Sequence, residues 1–385
     1  MSDGAAAPLR FDDATSSSAP PFDTVLVVHP ASDHEVAGLH LVERAAFTLA
    51  RAGARRLLCV GTRPARTLRR PDVPIAWVAA DDTAALASWL ANATAFVVGM
   101  DAAAVTDADT VVALAADPRA GLLATTGGGR LWRAPRERVA AVLQGAVTDA
   151  TQWTPPAGGF LLPAADAAAR ATAAQALFAR LGRPSDGWLT RLVDRRISNA
   201  LTGLLLPTGV TPNQVTVASL AAGILASGLF ATGSRAAAVA GALLFLGSTI
   251  VDGCDGELAR LTFRESRFGA LLDLVGDNVV HVFLFAGIAY GLYRRDHDPR
   301  LAVAGSAVVL GVLAAMIAVY ACLARREPTA RQRALFQAFA SREFAYLLVV
   351  LTLAGKLAWF LWIAAVGTWA FVVALVALRQ DRQKA

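Results

Sequence analysis

Lysine is almost missing from this 385-residue chain: Lys356 and Lys384 are the only two, so nearly all of the 36 basic side chains are arginine. Cysteine is scarce as well. Cys59, Cys254 and Cys322 are odd in number, far apart and without Cys-x-x-Cys spacing, which argues against a disulfide framework or a zinc site and reads as reduced thiols. His29, His34 and His40 show no paired-ligand spacing and read as surface or core residues. Charged residues make up only 17% against 55% hydrophobic, and the mean hydropathy of +0.48 is too high for an ordinary soluble protein. The net charge of +6 and pI near 9.8 do not imply nucleic acid, because the arginines flank apolar segments instead of forming one stripe with interleaved aromatics. A membrane surface is the expected partner. No basic region followed by an apolar run opens the chain, so no cleaved leader is expected there, and the Ser, Ala and Pro content of residues 1–22 reads as a disordered lead-in.

The hydrophobicity is uneven, and its pattern predicts a multi-domain chain. Over residues 23–165, DTVLVVHP, RRLLCVG, VPIAWVAA and TAFVVGM read as buried strands, with helices expected over 35–52, 83–91 and 107–116. This βαβ alternation implies an α/β domain with a parallel sheet and helices on both faces. Asp101, at the end of a strand, reads as a helix-start residue, and Gly127 to Gly129 as a tight turn. A further helix is expected over 164–181. Residues 166–211 then form a linker and a juxtamembrane helix in which Trp188, Leu189, Leu192, Val193, Ile197 and Leu201 alternate with Arg191, Arg195 and Arg196. A basic amphipathic helix of this kind lies in the membrane interface. Residues 212–385 read as an all-α transmembrane domain of six apolar segments, at 213–232, 236–261, 267–293, 299–322, 342–354 and 356–378. The fifth is short enough to merge with the sixth. With the N-terminal domain and C-terminus in the cytoplasm, most Arg-rich linkers fall inside, YRRDHDPR excepted, which suits the inner membrane of a cell.

One stretch of that domain needs a physical reason. Asp252, Asp255, Asp273 and Asp277 lie within or at the edge of two apolar runs, where an ionised group costs about 2.5 to 3.5 kcal/mol on insertion scales. Read as helices, the first two acids are three residues apart and the last two four apart, so each pair shares a face. Two short-linked antiparallel helices bring all four together, where they would repel and take up protons unless cations sat among them. Hard oxygen ligands suit Mg²⁺ or Mn²⁺, as one ion or two. Gly256, Ala259 and Gly269 leave room for close approach, and Arg260 is a planar cation suited to phosphate. Cys254, between the acids, reads as a packing residue.

The spacing D-x2-D-G-x2-A-R-x8-G-x3-D-x3-D resembles the signature of the CDP-alcohol phosphotransferases, and all eight fixed positions, Asp252, Asp255, Gly256, Ala259, Arg260, Gly269, Asp273 and Asp277, are present. The stretch TPNQVT, with Pro212 and Asn213, is similar to that family's lead into its first transmembrane helix. The resemblance implies transfer of a substituted phosphate from a CDP-alcohol, such as CDP-diacylglycerol or CDP-inositol, to an acceptor hydroxyl, with release of CMP. It also implies two metal ions on Asp252, Asp255 and Asp273, with Asp277 as general base and further ligand. Asp252, Gly256, Ala259, Arg260 and Gly269 would meet the nucleotide and diphosphate, and a homodimer is expected. Arg331 and Arg342, in an Arg-rich loop, are the candidates for holding a lipid or polyol-phosphate acceptor. In the first domain, GLHLVERAAFTLARAGARRLLCVG resembles a helix and strand of the sugar-phosphate nucleotidyltransferases, but HPASDHEVAGLH replaces their Gly-rich phosphate loop and its Lys. The domain therefore reads as a degenerate nucleotidyltransferase-like module with a scaffolding or regulatory role, in an architecture similar to bifunctional inositol-phosphodiester synthases. Two other readings are an ion-coupled transporter and a catalytically silent CDP-alcohol-binding protein. The first would spread its acids over several helices, and the second would be expected to have lost a motif acid.

Overall fold

The computed structural model describes residues 21–119, 121–125, 131–147, 149–182, 193–323, 331–332, 335 and 343–384. Its chain divides into two compact units: the first runs to Arg180 and takes in Leu261–Phe263, and the second holds Leu181–Arg260 and the residues from Arg264 on. The expected lead-in up to residue 20, the turn at Gly127 to Gly129, the amphipathic stretch 188–192 and Arg342 lie outside the described residues.

In the first unit, β-branched runs set the sheet. β1 (Phe22–Val28) leads through the short hairpin of β2 (Glu35–Val36) and β3 (Leu39–His40) into α1 (Leu41–Arg51). Then follow β4 (Ala54–Gly61), β5 (Ile75–Val78), α2 (Thr83–Ala91), β6 (Phe96–Asp101), β7 (Ala104–Thr106) and α3 (Ala108–Ala115). The unit continues with β8 (Leu123–Thr125), β9 (Leu131–Pro135), α4 (Val139–Leu143), β10 (Thr151–Trp153), β11 (Leu161–Pro163) and α5 (Ala167–Ala179). Asp82, Asp107 and Asp166 cap α2, α3 and α5, each accepting an N–H three residues on at 2.8 to 2.9 Å, which is why these helices begin where they do.

Seven strands form one sheet in the order β10-β8-β9-β6-β1-β4-β5. Successive residues of the central strands point to opposite faces. Leu26, Leu57, Val98 and Met100 pack under α1 and α3, whereas Val25, Leu58, Val60 and Val97 pack under α2 and α4. Helices thus cover both faces, as the pattern predicts. Three features differ from expectation. Asp101 starts no helix: it ends β6 and accepts the Ala103 N–H at 2.9 Å, and Asp107 caps α3 instead. The helix expected from 35 begins only at Leu41, because Ala37 and Gly38, both at positive φ, turn the chain into the hairpin first. β9 runs antiparallel to both neighbours, since residues 126–130 between β8 and β9 are too few for the crossover a parallel pair needs. Past the expected boundary at 165, α5 packs Ala173 and Leu177 against Val36, Leu41 and Val105 of this same unit.

The second unit is helical. α6 (Arg195–Leu205) precedes α7 (Pro212–Ala231), α8 (Arg235–Thr262), α9 (Arg267–Asp296), α10 (Pro299–Leu323), α11 (Glu343–Leu353) and α12 (Leu357–Lys384). Thr211 and Gln214 form a capping box at the start of α7, with Pro212 in its first turn. Five of these helices are long and apolar enough to cross a membrane, which makes this a multi-pass membrane protein by composition and length. α11 has only 11 described residues, or about 16 Å at 1.5 Å per residue. It does not merge with α12, because Gly355 at φ 71° breaks the chain between them. α7 and α9 pack closely through small residues: a Cβ on Gly287 or Gly291 would stand 2.3 Å from the Ser227 carbonyl oxygen or 1.9 Å from that of Phe230. Outward-facing Val303, Leu310, Ile317, Val366 and Val373 suit lipid contact.

Asp23 anchors the start of β1 in the first unit. Fully buried, it accepts hydrogen bonds from Arg55 at 3.0 and 3.1 Å, from Arg56 at 3.1 Å and from the Thr94 N–H at 2.8 Å. Burial pushes its pKa up, but the two guanidinium groups and the N–H outweigh burial and hold it below the ordinary value. A lowered folded-state pKa contributes stability that is complete above the unfolded value of about 3.9 and is lost as pH falls through the folded value. Asp23→Asn is expected to destabilise this unit by about 2 to 3 kcal/mol, less than for a fully buried pair because Arg55 is half exposed to water. It should also flatten the acid limb of its stability. Urea unfolding of the full chain in detergent at pH 7 and pH 3.5 measures both effects.

Candidate metal centre and active site

Every fixed residue of the acidic motif falls on two consecutive helices. α8 carries Asp252, Asp255, Gly256, Ala259 and Arg260, and α9 carries Gly269, Asp273 and Asp277. Between them Phe263 adopts φ 50°, and Ser266 restarts the chain by capping α9, accepting the Gly269 N–H at 2.9 Å. This short connection makes the helices antiparallel neighbours. Oxygen atoms of Asp252, Asp255 and Asp273 then lie within 4.8 Å of one another, Asp255 buried and the other two half-buried. Asp277, one turn further along α9 and half-buried, lies outside that group of three.

The donor set fits a hard divalent cation: three carboxylates from two helices converge, and no soft ligand is among them. Two hydroxyls of α7 stand beside the acids, and one of them orients Asp255. Thr216 donates through Oγ1 to Asp255 Oδ2, whereas Ser219 Oγ donates to the Thr216 carbonyl at 2.8 Å and stands 3.4 Å from Asp252 Oδ1. Both hydroxyls are buried. Fixing one carboxylate oxygen from outside steers the other towards a cation, the role that outer hydrogen bonds take around metals. The sequence carried a faint signal of them, a Thr and a Ser three residues apart on one face of an apolar helix.

Gly269 faces Asn213 at the start of α7. A Cβ at Gly269 would stand 2.9 Å from Asn213 Oδ1 and 3.0 Å from Ser266 Oγ, so the position admits no side chain without displacing a polar neighbour. Gly256 and Ala259 keep the adjoining α8 surface low, and Arg260, half-buried, points Nη2 at the Leu181 carbonyl at 3.4 Å. Cys254 is fully buried and packs with Val215 and Leu258, as its reading as a packing residue expects. Arg331 is exposed.

Glu257, which holds a variable position of the motif, is a site-shaping residue that sequence reasoning missed. Fully buried, it accepts hydrogen bonds from Arg195 Nη1 at 2.8 Å, Ser198 Oγ at 2.6 Å and Thr202 Oγ1 at 2.7 Å. The donors sit on α6 at i, i+3 and i+7, one stripe of that helix. Asp194, just ahead of α6, accepts from Tyr346 Oη on α11. α6 is therefore tied to α8 and α11 by polar contacts, in addition to its apolar packing against Cys254 and Leu258 through Leu201 and Leu205. The signal was available: a carboxylate inside an apolar helix requires a partner, and Arg195, Ser198 and Thr202 share a face.

Residues 209–379 match the family model described as CDP-alcohol phosphatidyltransferase. That match covers 171 of the chain's 385 residues, the span of the helical unit from the start of α7 into α12. Among curated relatives, the bifunctional IPC transferase and DIPP synthase of Thermococcus kodakarensis is 40% identical over 127 residues, 32% of this chain and 28% of that protein. The enzyme of the same name from Archaeoglobus fulgidus is 32% identical over 125 residues, 32% of this chain and 24% of that one. The archaetidylinositol phosphate synthase of Pyrococcus horikoshii is 35% identical over 114 residues, 30% of this chain and 57% of its own length. The match thus spans about a quarter of the two bifunctional relatives. A solved structure of the Mycobacterium tuberculosis phosphatidylinositol phosphate synthase with CDP-DAG bound aligns at 22% identity and a TM-score of 0.37, covering 47% of this chain and 92% of that one. The same synthase has been solved in complex with manganese and citrate.

If Thr216 orients Asp255, Thr216→Val should weaken Mn²⁺ binding by about tenfold or more while leaving the helices folded. Titration of free Mn²⁺ by electron paramagnetic resonance, with circular dichroism as the folding control, reads this. An unchanged Mn²⁺ affinity would show that the hydroxyl serves packing alone.

Proposed function

We propose that the C-terminal domain transfers a substituted phosphate from a CDP-alcohol to the hydroxyl of an acceptor, releasing CMP. The observation that carries this reading is the convergence of Asp252, Asp255 and Asp273 to within 4.8 Å inside a complete family motif. In this reading those three acids, with Asp277 as a further ligand, hold one or two Mg²⁺ or Mn²⁺ ions. The bound metal would supply the positive charge that neutralises the diphosphate and the departing CMP.

The remaining chemistry belongs to the chain's own residues. The acceptor oxygen forms a new bond to the phosphorus next to the alcohol, the bond from that phosphorus to the oxygen of CMP breaks, and the acceptor proton goes to a base. Asp277 is assigned that role: it is half-buried, one turn from Asp273, and outside the tight group of three. A carboxylate so close to metal is a weak base, so its work rests on position more than on basicity. Gly256, Ala259 and Gly269 leave a low surface for the nucleotide, and Arg260 supplies a cation for the diphosphate. CDP-diacylglycerol or CDP-inositol are the donors in view. A polyol phosphate is the acceptor class, with Arg331 and Arg342 as candidates to bind its phosphate. The site opens towards the cytoplasm, with both termini on that side and the chain paired as a homodimer in the cell membrane.

The assay is CMP release by the full chain in detergent or lipid, with Mg²⁺ or Mn²⁺ and a panel of CDP-alcohols and polyol phosphates. Metal-dependent release that needs an acceptor is expected. Asp277→Asn should lower turnover by about 10² to 10⁴ with little change in donor binding. Full turnover in Asp277→Asn would remove that residue from the proton transfer. No CMP from any donor that binds would overturn the transferase reading.

A further inference from the structure

The parallel strands β4 and β5 of the first unit are joined without a helix. A crossover helix would normally cover the sheet at this point. Here residues 62–74, TRPARTLRRPDVP, run as an irregular strap stiffened by Pro64, Pro71 and Pro74. The strap, α1 and the adjoining strands enclose a cavity of about 320 Å³. Its floor is apolar, with Ala46, Cys59, Ile75 and Trp77, and its rim carries Arg63, Arg66, Arg69 and Arg70.

Arg69 turns its guanidinium to the Thr262 and Phe263 carbonyl oxygens at 2.8 and 3.1 Å; the other three repel each other around the cavity, and nearby acids offset them only in part. Glu43, which also lines the cavity, is buried and accepts the backbone N–H of Arg69, so it holds the strap in place. Arg66 is paired with Glu35 at 2.7 Å. Among the described residues no ion pair is seen for Arg63 or Arg70. Arg63 lies 5.9 Å from the centre of the Trp77 ring, and Arg70 lines the same cavity as Cys59. Cations above a flat aromatic wall, over an apolar floor, form an amphiphilic anion site: phosphate suits the guanidinium forks and a ring suits the indole face. The volume lies at the small end of the roughly 300 to 1,000 Å³ of ligand sites, which suits a molecule of nucleotide size.

We propose that this cavity binds a nucleoside monophosphate, its phosphate on Arg63 and Arg70 and its base against Trp77. No residue of the acidic motif lines the cavity, and binding there needs no metal held by that motif. The cavity also lies away from the switch point between β1 and β6, where His29 Nε2 and Asp101 Oδ1 meet at 2.7 Å.

Equilibrium dialysis of the full chain in detergent, with EDTA present to silence metal-dependent nucleotide binding at the acidic motif, tests the proposal. The probes are AMP, CMP, adenosine and inorganic phosphate. Saturable binding of a monophosphate is expected, with adenosine and inorganic phosphate each weaker by about tenfold or more. Arg63→Ala with Arg70→Ala should reduce monophosphate affinity about 100-fold, at roughly tenfold per lost charged contact, and Arg70→Glu alone should act in the same direction. Both arginines are exposed, so these variants should fold, and Asp252→Asn should bind as the unaltered protein does. Undiminished binding in the arginine variants, equal loss in Asp252→Asn, or no binding of either nucleotide would overturn the proposal. Inorganic phosphate binding as tightly as AMP and CMP would overturn the nucleoside assignment.

Discussion

Carboxylates inside apolar helices set the terms for the whole C-terminal domain. An ionised acid in hydrocarbon costs several kcal/mol, and three of them within 4.8 Å add mutual repulsion. Neither cost can be met by burial alone, so the fold supplies polar support from one side and leaves the other for a cation. The support comes from α7, where Thr216 donates to Asp255 and the Ser219 hydroxyl stands beside Asp252. That helix can come close enough only because glycines of α9 let the two backbones approach, with no Cβ tolerated at Gly287 or Gly291. Packing and chemistry therefore share one requirement: α7 against α9, and α9 beside α8.

Glu257 extends the same logic outward. It is buried on α8, two residues past Asp255, and meets Arg195, Ser198 and Thr202 of α6. A buried ion pair with two added hydroxyls contributes little net stability compared with an apolar contact, yet removing one partner would strand a charge. Its effect is on register: α6 can dock on α8 in only one rotation that satisfies all three donors. The helix next to the site is thus set by polar contacts, whereas the lipid-facing helices are held mainly by shape.

How much of this was legible depended on whether the signal was local. The N-caps Asp82 and Asp107 and the capping box at Thr211 each act within one turn of chain, so α2, α3 and α7 could be read from the sequence, whereas the break at Gly355 left a merged helix open as a reading. The motif acids were legible for a different reason: ionised groups repeated at helical spacing in an apolar run are too costly to stand there without a cation or a partner. What escaped reading is non-local or conformational. Residues 35–40 have helical composition but turn back at Ala37 and Gly38, and β9 reverses direction because of its short distance from β8. Thr216, Ser219 and Glu257 look unremarkable until their partners, more than thirty residues away, are brought beside them.

The central claim is that the carboxylates of α8 and α9 form a divalent-metal centre. The most direct measurement is anomalous X-ray scattering from crystals of the full chain grown with Mn²⁺. The expected result is one or two strong peaks bounded by Asp252, Asp255 and Asp273, with Asp277 at their edge. Strong peaks only elsewhere, or no peak between these helices at saturating Mn²⁺, would contradict the account.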